Sequence, residues 1–179
     1  MVYMFLANGF EEVEALFPLD LLRRAGISVT TVGIGSESVT GSHGITVQAD
    51  IPDTMYRDSK PEMVILPGGM PGTKNLDASH TVDCAIRAAA KNDAYLAAIC
   101  AAPMVLGKRG YLDGKRAICF PGFEEYLKGA TVADERVVTD GKVITAAGMG
   151  VALEFGLALV KALKGQATAD ELRRAVLAD

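Results

Sequence analysis

The sequence has no tryptophan, only two histidines and only three cysteines. Cys84, Cys100 and Cys119 are odd in number and lack close-pair spacing. This pattern excludes the usual sequence signatures of a zinc site and indicates a reducing, cytoplasmic compartment. We therefore expect the protein to need neither a metal ion nor a cofactor.

An excess of basic charge and long apolar runs are absent as well. Lys and Arg number 18 against 22 Asp and Glu, and the net charge of −4 with a pI near 5.2 argues against a nucleic-acid-binding surface. No apolar run approaches the length of a membrane-spanning helix. Segment 1–7 is apolar, but it lacks a basic region and continues into Asn8-Gly9, so we interpret it as a first strand and not as a signal peptide.

Hydrophobic residues are abundant, at 50% of 179 residues. This length and composition predict one domain, residues 1–179, with a large core. Predicted strands (2–6, 28–33, 63–66, 95–99 and 116–120) alternate with predicted helices (10–25, 79–90, 151–163 and one that starts at Thr168). Asn8 is the expected cap of the first helix. Hairpins are predicted over residues 38–50 and 137–146.

This alternation predicts a three-layer α/β sandwich, in which a mainly parallel sheet carries helices on both faces. In such sheets, ligands bind beyond the carboxyl ends of the strands. Three segments fall at those ends: residues 8–14, the Gly68-Gly69 pair, and Cys100.

Cys100 lies in a stretch that reads Tyr-Leu-Ala-Ala-Ile-Cys-Ala-Ala-Pro. The apolar run predicts a buried strand, and Pro103 suits the first turn of a helix. Cys100 is therefore expected on a tight strand-to-helix turn, where the helix amides favour a thiolate and lower the cysteine pKa. A buried structural cysteine is the alternative.

Glu14 is the acid in residues 11–14 that helix-end electrostatics do not explain. Favourable placement near a positive helix end accounts for Glu11 and Glu12. Glu14 lies at the edge of an apolar arc formed by Val13, Leu16, Phe17 and Leu21, where a carboxyl needs a partner or a proton. When protonated, it can donate a hydrogen bond to a neighbouring thiolate or transfer a proton for it.

The Gly68-Gly69 pair allows two interpretations. They form a loop that needs unusual φ angles, or their backbone N–H groups hold an oxyanion together with the N–H of Ala101. Among the remaining candidates, Cys84 is expected to serve packing, and Cys119 is kept as a weak second redox candidate. His43 and His80 are expected at the surface.

Three motifs together resemble a known family: Asn-Gly-Phe-Glu-Glu-Val-Glu, Leu-Pro-Gly-Gly and Ala-Ile-Cys-Ala-Ala-Pro. In this order they resemble the ThiJ/PfpI superfamily, in the branch of the Parkinson-disease protein DJ-1 and its bacterial relatives. The resemblance implies a flavodoxin-like sandwich of the class I glutamine amidotransferase type. It also implies a reactive Cys100 hydrogen-bonded to Glu14, with backbone N–H groups from Gly69 and Ala101.

The resemblance further implies a homodimer, with the first helix near the interface and Arg24 reaching the partner's site. Relatives are described as glutathione-independent glyoxalases acting on methylglyoxal, as deglycases of early glycation adducts, or as oxidative-stress sensors and chaperones. Some carry a label that links them to thiazole monophosphate biosynthesis.

Three positions depart from the family pattern. Ala101 and Phe120 stand where different branches of the family have a histidine, and Met149 replaces a proline. Because a Cys-His pair is the usual way to activate a thiol for peptide hydrolysis, protease activity is not expected. A cysteine-dependent enzyme and a non-enzymatic redox sensor both remain open.

Overall fold

A seven-stranded sheet forms the centre of the computed structural model, which describes residues 1–178. In chain order, the strands of the molecule are β1 (Val2–Leu6), β2 (Val29–Gly33), β3 (Ser38–Thr40), β4 (Thr46–Gln48), β5 (Ile51–Pro52), β6 (Met63–Leu66), β7 (Tyr95–Ile99), β8 (Arg116–Ala117), β9 (Thr131–Val132), β10 (Val137–Asp140) and β11 (Val143–Ala146). The main sheet has the order β10-β11-β7-β6-β1-β2-β5. Its neighbouring strands are parallel except β10 and β11, which form the predicted hairpin.

Helices cover both faces of this sheet. They are α1 (Glu12–Arg24), α2 (Gly72–Ala78), α3 (His80–Lys91), α4 (Pro103–Gly107), α5 (Ala152–Lys164) and α6 (Gln166–Ala175). One buried apolar cluster joins the sheet to α1, α5 and α6, and includes Leu21 and Phe155. A second cluster joins the opposite face to α2, α3 and α4, and includes Leu76 and Ile86. The predicted three-layer α/β sandwich is confirmed.

The start of α1 differs from the prediction. The helix begins at Glu12, and its cap is Glu11, whose carboxylate accepts the N–H of Glu14 at 2.7 Å. The expected cap, Asn8, instead accepts the N–H of Thr40 through its side chain at 2.9 Å. Asn8 therefore ties the loop after β1 to β3, a contact that local capping patterns do not reveal.

Other boundaries also shift. The predicted strand 116–120 is reduced to β8, which pairs with β9 outside the main sheet. Helix α2 was not predicted. The last helix begins directly after Gly165, so Thr168 lies inside it and does not cap it. The Thr168 hydroxyl instead donates to the carbonyl of Lys164, the last residue of α5. Within residues 1–178, no helix is both long and apolar enough to cross a membrane.

Candidate active site

Cys100 occupies the turn between β7 and α4, as predicted. Its φ of +64° lies in the left-handed region, which is unusual for a residue with a side chain. Two long-range hydrogen bonds hold this backbone in place: Cys100 N–H donates to the Ala146 carbonyl at 2.9 Å, and Phe120 N–H donates to the Cys100 carbonyl at 2.8 Å. A strained conformation that the surroundings enforce in this way is typical of functional sites.

Glu14 projects from the first turns of α1 towards Cys100. Its side chain is almost completely buried, at 1% exposure. Carboxyl oxygen Oε2 accepts the Gly68 N–H at 3.0 Å. The Glu14 carboxyl, the Cys100 thiol and the Met149 N–H are close enough to affect the pKa of the pair. The structure therefore brings Glu14 and Cys100 together, and their predicted roles stay predictions.

Backbone N–H groups of Gly69 and Ala101 lie near the Cys100 sulfur and favour its thiolate form. Their predicted role in holding a developing oxyanion stays a prediction. The expectation for Gly68 is wrong, because its N–H is already used by Glu14 and its carbonyl accepts the Glu11 N–H at 2.9 Å. Gly68 therefore positions the carboxyl.

Gly68 also leaves room for both reactive groups. A Cβ atom at this position would lie 2.5 Å from Oε2 of Glu14 and 2.6 Å from Cβ of Cys100. Both distances are shorter than real Cβ contacts allow. The close approach of Glu14 and Cys100 depends on a residue without a side chain.

Both acids in this pair lose their protons less readily than usual. Burial raises the pKa of Glu14 to about 7, with a smaller contribution from the charge of Glu11. Burial and the charge of an ionised Glu14 raise the pKa of Cys100 to about 12, and the N–H groups of Gly69 and Ala101 oppose this shift. The expectation of a simply lowered Cys100 pKa is therefore wrong, because burial, together with the neighbouring carboxylate, outweighs the effect of the helix amides. The two groups titrate as a coupled pair.

A crevice of about 300 Å³ opens next to this pair. Its walls come from the loops after β8 and β11 and from the start of β10, and its lining residues are Phe120, Pro121, Arg136, Ala147, Gly148, Met149, Gly150 and Val151. A larger cavity of about 520 Å³ lies between β10, α5 and α6, but none of the site residues lines it. Cys100 and Glu14 do not line the smaller crevice themselves, but two of its wall residues contact them. A Cβ atom on Gly148 would lie 3.9 Å from Oε1 of Glu14, and the Phe120 N–H donates to the Cys100 carbonyl, so we place the candidate active site there.

Arg24 lies away from this site within the chain. It is in the last turn of α1, opposite the end that carries Glu14, and its Nε donates to Asp20 Oδ2 at 2.5 Å on the surface. The structure therefore does not bring Arg24 to Cys100 of the same chain. Its reach to a partner's site stays a prediction.

The other cysteines are distinct from Cys100. Cys84 is exposed, with its sulfur 3.4 Å from His80 Nε2, so the expectation that it serves packing is wrong. Cys119 is buried, and burial raises the pKa of its thiol to about 11. Cys119 precedes Phe120 on the crevice wall, but its burial disfavours the thiolate that redox chemistry requires.

Glu12 is a buried residue whose role the sequence pattern did not show. Its Oε1 accepts the His43 N–H at 2.7 Å, and its Oε2 lies 2.9 Å from His43 Nδ1. Glu11, Glu12 and His43 place three possible metal-ligand atoms within 4.8 Å of one another. Because the β3–β4 turn already satisfies the Glu12 carboxylate, we assign this cluster to holding the hairpin against α1. In the sequence, the feature that could have indicated this role of Glu12 is the turn at residues 41–45, which supplies the hydrogen-bond donors.

Known proteins resemble this chain over nearly its whole length. The model of the DJ-1/PfpI family matches residues 1–162. The chain is 37% identical to Protein dj-1beta of Drosophila melanogaster over 175 residues, which cover 96% of this chain and 94% of that protein. It is 31% identical to the Glutathione-independent glyoxalase DJR-1.2 of Caenorhabditis elegans over 160 residues, which cover 87% and 83% of the two chains.

A solved structure agrees with these sequence relationships. Oxidized DJ-1 of Toxoplasma gondii superimposes with a TM-score of 0.94 at 30% identity, covering 98% of this chain and 97% of that chain. Sequence and fold lead to the same assignment. This chain belongs to the DJ-1/PfpI family.

Proposed function

We propose that the protein is a cysteine-dependent enzyme that converts α-oxoaldehydes such as methylglyoxal to 2-hydroxy acids without glutathione. The observation that carries this proposal is the buried Glu14 carboxyl beside Cys100: both side chains crowd the same face of Gly68, and Cys100 stands on a strained turn. The 31% identity to a relative named as a glutathione-independent glyoxalase supports the same reaction. Early glycation adducts are the second substrate class of this site.

The reaction begins when the proton shared by the pair resides on Glu14 and the charge on sulfur. The thiolate adds to the aldehyde carbon, a C–S bond forms, and the carbonyl electron pair moves to oxygen. The N–H groups of Gly69 and Ala101 stabilise this oxyanion, and Glu14 then donates its proton to it and becomes a carboxylate. The adduct is a thiohemiacetal.

Glu14 then moves a proton between the two carbons of the substrate. As a carboxylate, it removes the hydrogen from the former aldehyde carbon, and it returns a proton to the former ketone carbon. The aldehyde carbon is oxidised and the ketone carbon is reduced, so no external oxidant is consumed. Water cleaves the resulting thioester, releases the 2-hydroxy acid and restores the Cys100 thiol.

Lactate formation from methylglyoxal in the absence of glutathione tests this proposal. We expect turnover by the wild type, loss of turnover in Cys100→Ala, and retention in Cys84→Ala, which removes an exposed thiol outside the site. Equal lactate formation by wild type and Cys100→Ala would refute the proposed enzyme.

A second candidate function is a redox sensor. It is favoured by the residues at the two histidine positions, Ala101 and Phe120, which leave Glu14 as the proton-transfer group next to the sulfur. Peroxide would oxidise the Cys100 thiolate to a sulfenate with release of water, and a second equivalent would give the sulfinate. A protonated Glu14 can donate a hydrogen bond to that sulfinate. Mass spectrometry after peroxide treatment should then find a sulfinate on Cys100 and none on Cys119.

We also propose a homodimer with α1 at its interface. Val13 and Phe17, expected in the buried arc of α1, are instead 40% and 37% exposed. Apolar side chains on one exposed helix face are typical of a surface that a partner covers. In such a dimer Arg24 would lie near the partner's copy of α1.

A further inference from the structure

We propose that the crevice beside Cys100 is an apolar subsite, and that the preferred substrates are α-oxoaldehydes with an aromatic or branched apolar substituent. This inference rests on the proposed function. It concerns the part of the substrate that Cys100 does not attack.

Phe120 connects this subsite directly to the reactive pair. Its N–H donates to the Cys100 carbonyl at 2.8 Å. A Cβ atom placed on Gly148 would lie 3.2 Å from Cδ2 of the Phe120 ring and 3.9 Å from Oε1 of Glu14. The ring and the carboxyl therefore flank the same glycine, and we expect a substituent on a substrate bound to Cys100 to contact the ring.

The second wall of the subsite is Met149. Its side chain is 52% exposed and that of Phe120 is 47% exposed, so both present apolar surface to the solvent. Exposed aromatic and thioether groups beside a reactive centre are the surface that an apolar ligand group can cover. The Met149 N–H is close enough to Glu14 to oppose the rise in its pKa, so this wall lies beside the reacting atoms.

Arg136 is the charged residue among those that line the crevice. Pro121, Ala147 and Val151 are apolar, and Arg136 Nη2 donates to the Gly150 carbonyl at 3.1 Å. This hydrogen bond holds the Met149–Gly150 segment against the start of β10. Among residues 1–178, no acidic side chain is part of the crevice lining, and the carboxyl of Glu14 lies behind Gly148 at the end towards Cys100.

A volume of about 300 Å³ is at the small end of ligand sites and suits a single ring. Even one methylene group in an apolar pocket changes specificity by about 10- to 200-fold. We therefore expect kcat/KM for phenylglyoxal to exceed that for methylglyoxal by about 10-fold or more. The chemistry is unchanged: phenylglyoxal and water give mandelate, with the aldehyde carbon oxidised and the ketone carbon reduced.

Initial rates of mandelate and lactate formation by the wild type, Phe120→Ala and Met55→Ala test the inference. Met55 is an exposed apolar residue outside the crevice and serves as the matched control. We expect Phe120→Ala to lower the phenylglyoxal-to-methylglyoxal ratio by about 10-fold and Met55→Ala to leave it unchanged. Mass spectrometry must confirm that phenylglyoxal has not modified arginine during the assay. A wild-type ratio of one or less, or a ratio that Phe120→Ala does not change, would overturn the subsite.

A second readout separates the subsite from the proposed reaction. If neither aldehyde shows Cys100-dependent turnover, the proposed enzyme fails, and protection of Cys100 from iodoacetamide by mandelate and by lactate decides about the subsite. We expect mandelate to protect the wild type at a concentration about 10-fold lower than lactate, and Phe120→Ala to abolish this difference. Equal protection by the two acids would overturn the inference.

Discussion

Replacing Gly68 by alanine is a demanding test of the site geometry. The new methyl group would lie 2.5 Å from Glu14 Oε2 and 2.6 Å from Cys100 Cβ, whereas ordinary contact begins near 3.4 Å. The φ of Gly68 lies outside the left-handed region, so alanine meets no backbone penalty there. Glu14 or Cys100 must therefore move by almost 1 Å.

This displacement predicts a loss of activity larger than the loss of stability. Overpacking of this kind costs about 1–3 kcal/mol of unfolding free energy. A misplacement of about 1 Å in a reacting group can lower the rate about 100-fold. We expect Gly68→Ala to lower kcat/KM for methylglyoxal by about two orders of magnitude while the protein remains folded.

Gly156→Ala provides the matched control. A Cβ atom at Gly156 would lie 2.6 Å from Leu21 Cδ1 and 3.1 Å from Pro18 Cα, so the clash is similar but falls between α5 and α1. Thermal unfolding and kcat/KM are measured for both variants. The reasoning is refuted if Gly68→Ala keeps wild-type activity, or if Gly156→Ala loses as much activity at an equal loss of stability.

Three further outcomes follow from the same contacts. Glu14→Gln should abolish lactate formation, because the amide cannot exchange a proton, while peroxide still produces a sulfinate on Cys100; retained turnover would make Glu14 a hydrogen-bond donor only. Burial opposes ionisation of Glu12, but the hydrogen bonds from His43 and Ile45 lower its pKa to about 2, below the ordinary 4.5. The difference in Tm between wild type and Glu12→Gln should therefore be present above pH 4.5 and disappear as the pH falls towards 2, with exposed Glu171→Gln measured as the control. Phe17→Glu should convert a dimer to a monomer in sedimentation experiments, whereas a monomeric wild type at micromolar concentration would contradict the proposed interface.

The strand-to-helix turn at Cys100 could be predicted because its signals are local. An apolar run, a cysteine and Pro103 follow one another, and the structure places β7, Cys100 and α4 accordingly. The Glu14–Cys100 pairing is long-range, and it was identified through a carboxyl at the edge of an apolar arc and through family motifs. That arc was itself partly wrong, since Val13 and Phe17 are exposed.

The features that sequence reasoning missed depend on contacts between distant residues. The Gly68 N–H binds Glu14 across 54 positions of the chain, and Glu12 binds His43 across 31. Asn8 has the residue type of a helix cap, but the nearby β3 strand offers its side chain a different donor. Local patterns contain no information about these partners.

The pKa of Cys100 also could not be predicted from local sequence patterns alone. A helix start predicts a lowered pKa, and two N–H groups do act in that direction. Burial and the Glu14 charge act more strongly in the opposite direction while Glu14 is ionised. The net behaviour therefore belongs to the pair and depends on which atom keeps the shared proton.

The pH dependence of Cys100 alkylation tests this shared proton most directly. Iodoacetamide reacts with the thiolate, so its rate reports the charge on sulfur. In the wild type we predict a first rise near pH 7, where the pair loses one proton, followed by a plateau and a second rise at alkaline pH. In Glu14→Gln, which has only one acid, we predict a single rise at alkaline pH. The same single alkaline rise in both proteins would contradict a proton shared between Glu14 and Cys100.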